Sequence, residues 1–164
     1  MGHIHSDSQY DYTASGVIVH NDKVLLLLHH KLNLWLSPAG HIELDETPIQ
    51  GLFREVQEET GLTPNDLTLI SPYVDNLPFV RDTGSNATEP LPFDIDIHAI
   101  GDTGHKHIDF GYILASDTAE FTLEEGGATE MRWFTLDELK DLSPSTESTK
   151  SRAAYAIRKV KEAS

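Results

Sequence analysis

One helix with well-marked ends is the feature that most constrains the fold of this chain. The pattern predicts an α-helix over residues 48–60, with Thr47 as its N-cap, Pro48 at its first position and Gly61 just after its last turn. Apolar residues recur along it with the period of one helical face. They are Ile49, Leu52, Phe53 and Val56. Because this face must be buried, the helix has to pack on a core formed by the rest of the chain.

The opposite face of the same helix is unusually acidic. Glu55, Glu58 and Glu59 lie at i, i+3 and i+4, so their like charges repel in the half of the helix where the dipole favours cations. Arg54 reaches Glu58 at i+4 and is the only local compensation. Unfavourable charge placement inside an otherwise regular helix indicates a functional site. Clustered carboxylates suit a hard divalent cation such as Mg²⁺. The simpler alternative is a solvated acidic face.

Strands are predicted on both sides of this helix in the sequence. Runs rich in β-forming residues lie at 13–19, 23–29, 35–36, 67–73, 94–100, 107–115 and 131–134. A short helix is predicted at 136–142 and a last helix from about Pro144, with longer loops at 75–92 and 116–130. The length of 164 residues favours one α/β domain over residues 1–164, with residues 1–12 flexible.

Charge and composition exclude several classes of protein. Lys and Arg number 12 against 27 Asp and Glu, a formal charge of −15, which argues against a nucleic-acid partner held by a basic surface. The longest apolar run, 24–28, is far shorter than the roughly 20 residues of a membrane span, and no secretory signal is evident. Cysteine is absent, which fits a cytoplasmic location. We therefore expect neither a nucleic-acid nor a membrane partner.

Residues 40–62 resemble the Nudix box, G-x5-E-x7-R-E-U-x-E-E-x-G-U, in which U is apolar. All nine specified positions match: Gly40, Glu46, Arg54, Glu55, Val56, Glu58, Glu59, Gly61 and Leu62. The resemblance implies the Nudix fold, an α/β/α sandwich around a mixed β-sheet. It also implies Mg²⁺- or Mn²⁺-dependent hydrolysis of the diphosphate linkage in a small-molecule nucleoside diphosphate derivative. The alternative, a non-catalytic Nudix-type nucleotide-binding domain, would be expected to lack a box carboxylate.

The resemblance also assigns roles to individual residues. It implies metal ligands at Glu55, Glu58, Glu59 and the Gly40 carbonyl, a carboxylate-orienting Arg54, and structural positions at Glu46 and Gly61. The general base stays open between box and loop glutamates. The candidates are Glu58, Glu59 and Glu130, with Glu124 and Glu125 as further loop alternatives.

The identity of the substrate is weakly encoded. Pro78 follows the box at a spacing similar to that of many ADP-ribose hydrolases, but it lies in a proline-rich loop. Hydrolysis of damaged nucleoside triphosphates, as in MutT-like enzymes, stays open. So does the choice between a monomer and a homodimer.

A second polar constellation lies on two later strands. His105, His107 and Asp109 alternate and so share one strand face, and a hairpin would bring His98 opposite His107. This segment is similar to that of a bacterial Nudix subgroup. Three interpretations stay open: a substrate pocket whose imidazoles bind phosphate or base, a second metal site for zinc or manganese, or a solvated polar face.

Overall fold

A computed structural model of the chain describes residues 9–73, 89–101, 104–123 and 127–164. The strands are β1 (Tyr10–His20), β2 (Lys23–His29), β3 (Trp35–Leu36), β4 (Ala39–His41), β5 (Leu67–Ile70), β6 (Asp94–Ala99), β7 (Lys106–Ser116) and β8 (Ala128–Thr135). The α-helices are α1 (Pro48–Thr60), α2 (Leu136–Lys140) and α3 (Glu147–Ala163), and a 3₁₀ turn covers Pro64–Asp66. None of the helices in these ranges is long and apolar enough to cross a bilayer.

The strands form one mixed sheet built around β1 and β7. These two long strands pair in parallel from Tyr10 opposite Lys106 to Val19 opposite Ala115. The order is β3-β2-β1-β7-β5, while β4, β6 and β8 pair antiparallel with β1, β7 and β2 respectively. The predicted mixed sheet is therefore confirmed.

Helices cover both faces of the sheet. Side chains alternate along β1, so Ile18 packs with Leu52 of α1 on one face, and Val17 packs with Ala153 of α3 on the other. We call these the α1 face and the α3 face. On β1 and β7 the even-numbered residues point to the α1 face and the odd-numbered residues to the α3 face. The arrangement is the α/β/α sandwich expected from the sequence.

Helix α1 begins and ends where its sequence predicts. The Thr47 hydroxyl accepts a hydrogen bond from the Gln50 amide, and the Gln50 side chain accepts one from the Thr47 amide at 2.9 Å. Gly61 adopts the left-handed conformation with φ 72°, and its amide donates to the Gln57 carbonyl at 2.9 Å. Both ends are thus fixed locally, which places the acidic face in a defined register.

Several elements differ from the sequence prediction, and three of the differences have a clear physical reason. Strand β1 begins at Tyr10, inside the stretch expected to be flexible, because residues 10–12 gain backbone partners on β7. Strand β4 was not predicted, since three residues pairing with β1 carry no periodicity. Helix α3 begins at Glu147 rather than near Pro144, because the Thr146 hydroxyl caps it by accepting from the Thr149 amide.

Candidate active site

Strand β4 places Gly40 directly against the acidic helix. Gly40 pairs with Ala14 of β1, and Ala14 packs on the α1 face. A Cβ atom at Gly40 would overlap the carboxylate of Glu55. Glu55 is only 3% exposed. Only a glycine therefore lets this buried carboxylate lie against the β4 backbone.

Arg54 holds this carboxylate and the preceding loop together. Its Nε and Nη2 donate to the two carboxylate oxygens of Glu46 at 2.6 and 2.9 Å. Its Nη1 donates to Glu55 Oε1 at 2.7 Å and to Glu58 Oε2 at 3.4 Å. Its Nη2 also donates to the His41 carbonyl at 2.7 Å. These contacts support the roles predicted for Arg54, which orients a box carboxylate, and for Glu46, which braces the loop.

The local charge balance is negative. Burial raises the pKa of Glu55, Arg54 opposes that rise, and the charges of Glu58 and Glu46 add to it. The hydrogen bond from Arg54 lowers the pKa of Glu46 and raises that of the guanidinium itself. A buried carboxylate surrounded by further carboxylates is relieved by a cation. Because all of these donor atoms are oxygens, the group fits a hard divalent ion such as Mg²⁺ or Mn²⁺.

The remaining two box glutamates differ in exposure. The Glu58 side chain is 44% exposed, whereas Glu59 is half-buried and its Oε2 accepts from the Ala39 amide at 2.9 Å. Ala39 precedes Gly40 on β4, so the Glu59 carboxylate also lies at this strand. The structure therefore brings the metal-ligand candidates of the box together at one place.

Glu130 is not part of this group. Glu130 lies on β8 opposite Leu28, whose side chain packs with the core of the α3 face. Glu130 therefore points away from α1, and we correct its assignment as a candidate general base. Sequence spacing could not show this, because the orientation depends on the pairing of β8 with β2. Glu124 and Glu125, like Pro78, lie outside the described residues.

Asp109 has a structural role that corrects its assignment to a substrate site. It is 4% exposed and accepts hydrogen bonds from the hydroxyls of Thr13 at 2.9 Å and Ser15 at 2.6 Å. Arg152 of α3 donates to the same carboxylate at 3.2 Å and to Asp94 at 2.9 Å. Helix α3 covers this polar strand face, so Asp109 is an internal ion-pair partner. No local pattern in the sequence marks Arg152 as the partner of Asp109.

The predicted histidine pairing is present. His98 pairs with His107 across β6 and β7, with ring centroids 5.4 Å apart. His105 Nε2 lies 2.8 Å from Asp11 Oδ2, and the His41 ring lies 4.9 Å from that of His107. Burial, and after it the neighbouring imidazoles of His41 and His98, lowers the pKa of His107 to about 4.

These four histidines, His41, His98, His105 and His107, are called the histidine group. The group lies on the α3 face, opposite the box carboxylates. His107 pairs with Asp11 two residues before Asp109 pairs with Thr13, so all four side chains share that face. The sequence had not drawn attention to Asp11, which fell in the supposedly flexible terminus. It had likewise not drawn attention to His41, which occupies a variable position of the box.

An exposed aromatic surface lies on the α1 face beside the box. Tyr12 is 48% exposed, and its ring stacks on that of Phe110 with centroids 6.3 Å apart. Ile95 and Ile97 of β6 are 57% and 59% exposed. The amide of Ile42, just after β4, donates to the Tyr12 carbonyl at 2.9 Å. We call this group the aromatic shelf; it adjoins Gly40 on the same face.

Comparison with known proteins identifies the family. The model of the NUDIX domain matches residues 11–156, and the chain belongs to this family. In sequence the chain is similar to a probable DHNTP pyrophosphohydrolase of Lactococcus lactis subsp. cremoris (strain MG1363), with 31% identity over 125 residues. That match covers 76% of this chain and 64% of the relative. An RNA pyrophosphohydrolase of Marinomonas sp. (strain MWYL1) is 42% identical over 57 residues, which are 34% of this chain and 35% of that protein.

Solved structures agree on the fold. A hydrolase of the NUDIX family from Clostridium perfringens is 32% identical, with a TM-score of 0.79 over 90% of this chain and 96% of that one. The dihydroneopterin triphosphate pyrophosphohydrolase of E. coli shares the fold at 18% identity, with a TM-score of 0.65 over 91% of this chain and 97% of that one. The family and the fold predicted from the sequence are thus confirmed.

Proposed function

We propose that this protein is a pyrophosphohydrolase that cleaves a phosphoanhydride bond of a nucleoside diphosphate derivative with the help of Mg²⁺ or Mn²⁺. One observation carries the proposal: the buried Glu55 carboxylate lies against Gly40 and is held there by Arg54. Glu58 and Glu59 extend the same acidic face. A non-catalytic nucleotide-binding domain, the alternative, would not require all of these carboxylates.

Each group of box residues would have its own role in the reaction. Glu55, Glu58, Glu59 and the Gly40 carbonyl would hold the cation, and Arg54 with Glu46 would keep Glu55 in place. When bound, the cation neutralises phosphate oxygens and lowers the pKa of a coordinated water. Glu58 and Glu59 are the candidates to accept the proton from the attacking water. Glu58 is the more accessible of the two, because its side chain is 44% exposed and its contact with Arg54 is long.

The aromatic shelf supports a substrate with a planar ring. An exposed Tyr12 stacked on Phe110 offers a flat apolar surface on which a heterocycle can stack. It lies on the same face as the metal-ligand candidates, so one small substrate could place its ring on the shelf and its phosphates near Gly40. The charge of −15 disfavours long polyanions, and we therefore propose a small-molecule substrate. We also propose that the reaction takes place in the cytoplasm, which fits the absence of cysteine.

A substrate panel with a matched pair of variants tests the proposal. Candidates are dihydroneopterin triphosphate, ADP-ribose, a dinucleoside tetraphosphate, an oxidised nucleoside triphosphate and a 5′-triphosphate RNA, each assayed for phosphate release with Mg²⁺ or Mn²⁺. On the best substrate, Glu58→Gln should lower turnover by at least about a hundredfold, because metal and water positioning are both lost. Glu147→Gln, which changes a 92% exposed glutamate on α3, should leave turnover unchanged.

Two results would contradict the proposal. One is the absence of metal-dependent release from every compound by a folded wild-type protein. The other is equal turnover in wild type and Glu58→Gln. Tight nucleotide binding without hydrolysis would favour the non-catalytic alternative.

A further inference from the structure

A second group of metal-ligating side chains lies on the α3 face, apart from the box. Asp11, His41 and His107 each offer one ligand atom, and these atoms all lie within 4.8 Å of one another. They come from three different strands, β1, β4 and β7. We propose that these three residues bind a zinc ion that braces the active-site strand β4.

The donor set favours zinc over the cation of the box. Two imidazoles and one carboxylate form a ligand set that zinc accepts, whereas Mg²⁺ prefers oxygen ligands and retains its waters. Zinc bonds of about 2.0–2.2 Å in a tetrahedral arrangement place ligand atoms about 3.3 Å apart. Side chains whose ligand atoms already lie within 4.8 Å of one another need only small torsional changes to reach that spacing.

Burial at the group also points to a ligand. Asp11 is 1% exposed, and Nε2 of His107 is buried without a hydrogen-bond partner among the described residues. Buried polar atoms of native proteins are almost always satisfied, so an imidazole nitrogen of this kind needs an explanation. A cation shared with the neighbouring imidazole and carboxylate supplies one.

Outer residues hold the three ligands in position. His105 Nε2 lies 2.8 Å from Asp11 Oδ2, a hydrogen bond that fixes the carboxylate, as partners outside the ligand set do at metal sites. His98 packs edge-on against His107 with ring centroids 5.4 Å apart and so supports the ring of that ligand. The proposed site therefore uses His107 from the paired strands β6 and β7, and its other ligands are Asp11 and His41 instead of Asp109.

The position of His41 connects this site with the catalytic box. His41 directly follows Gly40, and because side chains alternate along β4, the two residues face opposite sides of the sheet. The His41 carbonyl accepts from Arg54 at 2.7 Å, and Arg54 holds Glu55. A zinc ion on the α3 face would thus hold strand β4, which carries Gly40, from the side of the sheet opposite the box carboxylates. Its role is structural, and its existence does not depend on the proposed hydrolysis.

Metal retention by the full-length chain tests the site. The protein is stripped with a chelator, incubated with ZnCl₂ in the presence of millimolar Mg²⁺, desalted and analysed by mass spectrometry for metal content. Wild type should retain a single zinc ion per chain, and so should the matched control His30→Ala, which removes an exposed histidine outside the group. His107→Ala should lower the zinc affinity by at least about a hundredfold.

A second variant and a second measurement distinguish the loss of a zinc ligand from misfolding. Asp11→Asn keeps the shape of the side chain and should also lose zinc, while circular dichroism verifies the fold of each variant. Zinc should raise the melting temperature of wild type and His30→Ala but not of the two site variants. Glu58→Gln should keep its zinc even though it loses hydrolysis, which separates the two sites.

Either of two outcomes would overturn the inference. One is wild-type protein that retains no zinc after desalting. The other is zinc bound equally well by His107→Ala and wild type, which would place the ion on other histidines, such as the terminal His3 and His5.

Discussion

At the scale of single residues, the buried position of Glu55 depends on the glycine at position 40. Glu55 can be buried only because Gly40 offers no Cβ, and its charge is tolerated only because Arg54 donates to it. A lone buried carboxylate is costly, so this pair would not persist for packing alone. Both identities were predictable from the box pattern, whereas their mutual contact required the unpredicted strand β4.

The first residue-scale prediction concerns Gly40→Ala. The new Cβ would overlap the Glu55 carboxylate and displace it or strand β4, so metal-dependent activity should fall by more than about tenfold. The free energy of unfolding should fall by about 1–3 kcal/mol, as for an overpacked position. Denaturant titration and the substrate assay measure the two effects.

A glycine with open space at the position of an added Cβ provides the control for that experiment. A Cβ atom at Gly127 would meet nothing within 4 Å, so Gly127→Ala should preserve activity and change stability by no more than about 1 kcal/mol. Equal activity in the Gly40 and Gly127 variants would show that the contact between Gly40 and Glu55 has no catalytic importance.

The second residue-scale prediction concerns the aromatic shelf. Tyr12→Ala should raise KM for the true substrate by about three- to tenfold with little change in kcat, because stacking contributes about 0.5–1.5 kcal/mol in ground and transition state alike. Tyr12→Phe keeps the ring and should behave as wild type. A kcat effect without a KM effect, or equal loss in both variants, would contradict a stacking role.

At the scale of elements, helix α3 is joined to the sheet by a partly buried ion pair. Arg152, with a side chain 17% exposed, reaches Asp109 on β7 and Asp94 on β6, so one guanidinium joins three elements. The Arg152 guanidinium also lies over the Phe93 ring, 5.3 Å from its centroid. The polar strand face therefore orients α3 as well as carrying the histidine group.

The element-scale prediction is that Arg152→Met destabilises the fold. Removing the cation leaves Asp109 buried without its charge partner, which costs about 3–5 kcal/mol, even though the methionine fills much of the space. Arg158→Met on the same helix removes an exposed arginine whose guanidinium lies 5.8 Å from the Tyr155 ring centroid, and should cost no more than about 1 kcal/mol. Urea denaturation of the two variants decides the matter; similar midpoints would mean that the buried pair adds no stability.

Elements differ in how far the sequence determines them. Helix α1 was predictable to the residue because its caps and apolar face are local signals. The pairing of His98 with His107 was predictable because a short hairpin links their strands. Which helix covers that strand face was not predictable, since Asp109 and Arg152 are brought together only by tertiary packing. The same holds for Asp11 and His41, which adjoin His107 only through the pairing of β1 with β4 and β7.

At the scale of the whole molecule, the excess of acidic residues has a consequence for stability. A net charge of −15 makes the folded state self-repelling, and part of that repulsion is concentrated where Glu55 is buried beside Glu58 and Glu46. A cation bound among these groups removes local repulsion that dilute salt screens only weakly, because the site is partly buried. The stabilisation by a cation bound at this site should therefore be separable from the general screening of charge by salt.

The last prediction is that Mg²⁺ stabilises the wild-type fold by mass action. A ligand present at a hundred times its dissociation constant stabilises a protein by about 2.7 kcal/mol, which corresponds to roughly 5–10 °C in melting temperature for a domain of this size. NaCl at matched ionic strength should produce a smaller shift, since it only screens the overall charge. Glu58→Gln should start from a similar or higher melting temperature, because one repulsive charge is gone, and should gain less from Mg²⁺. If NaCl and Mg²⁺ gave equal shifts in both proteins, the acidic face would be an ordinary solvated surface and not a metal site.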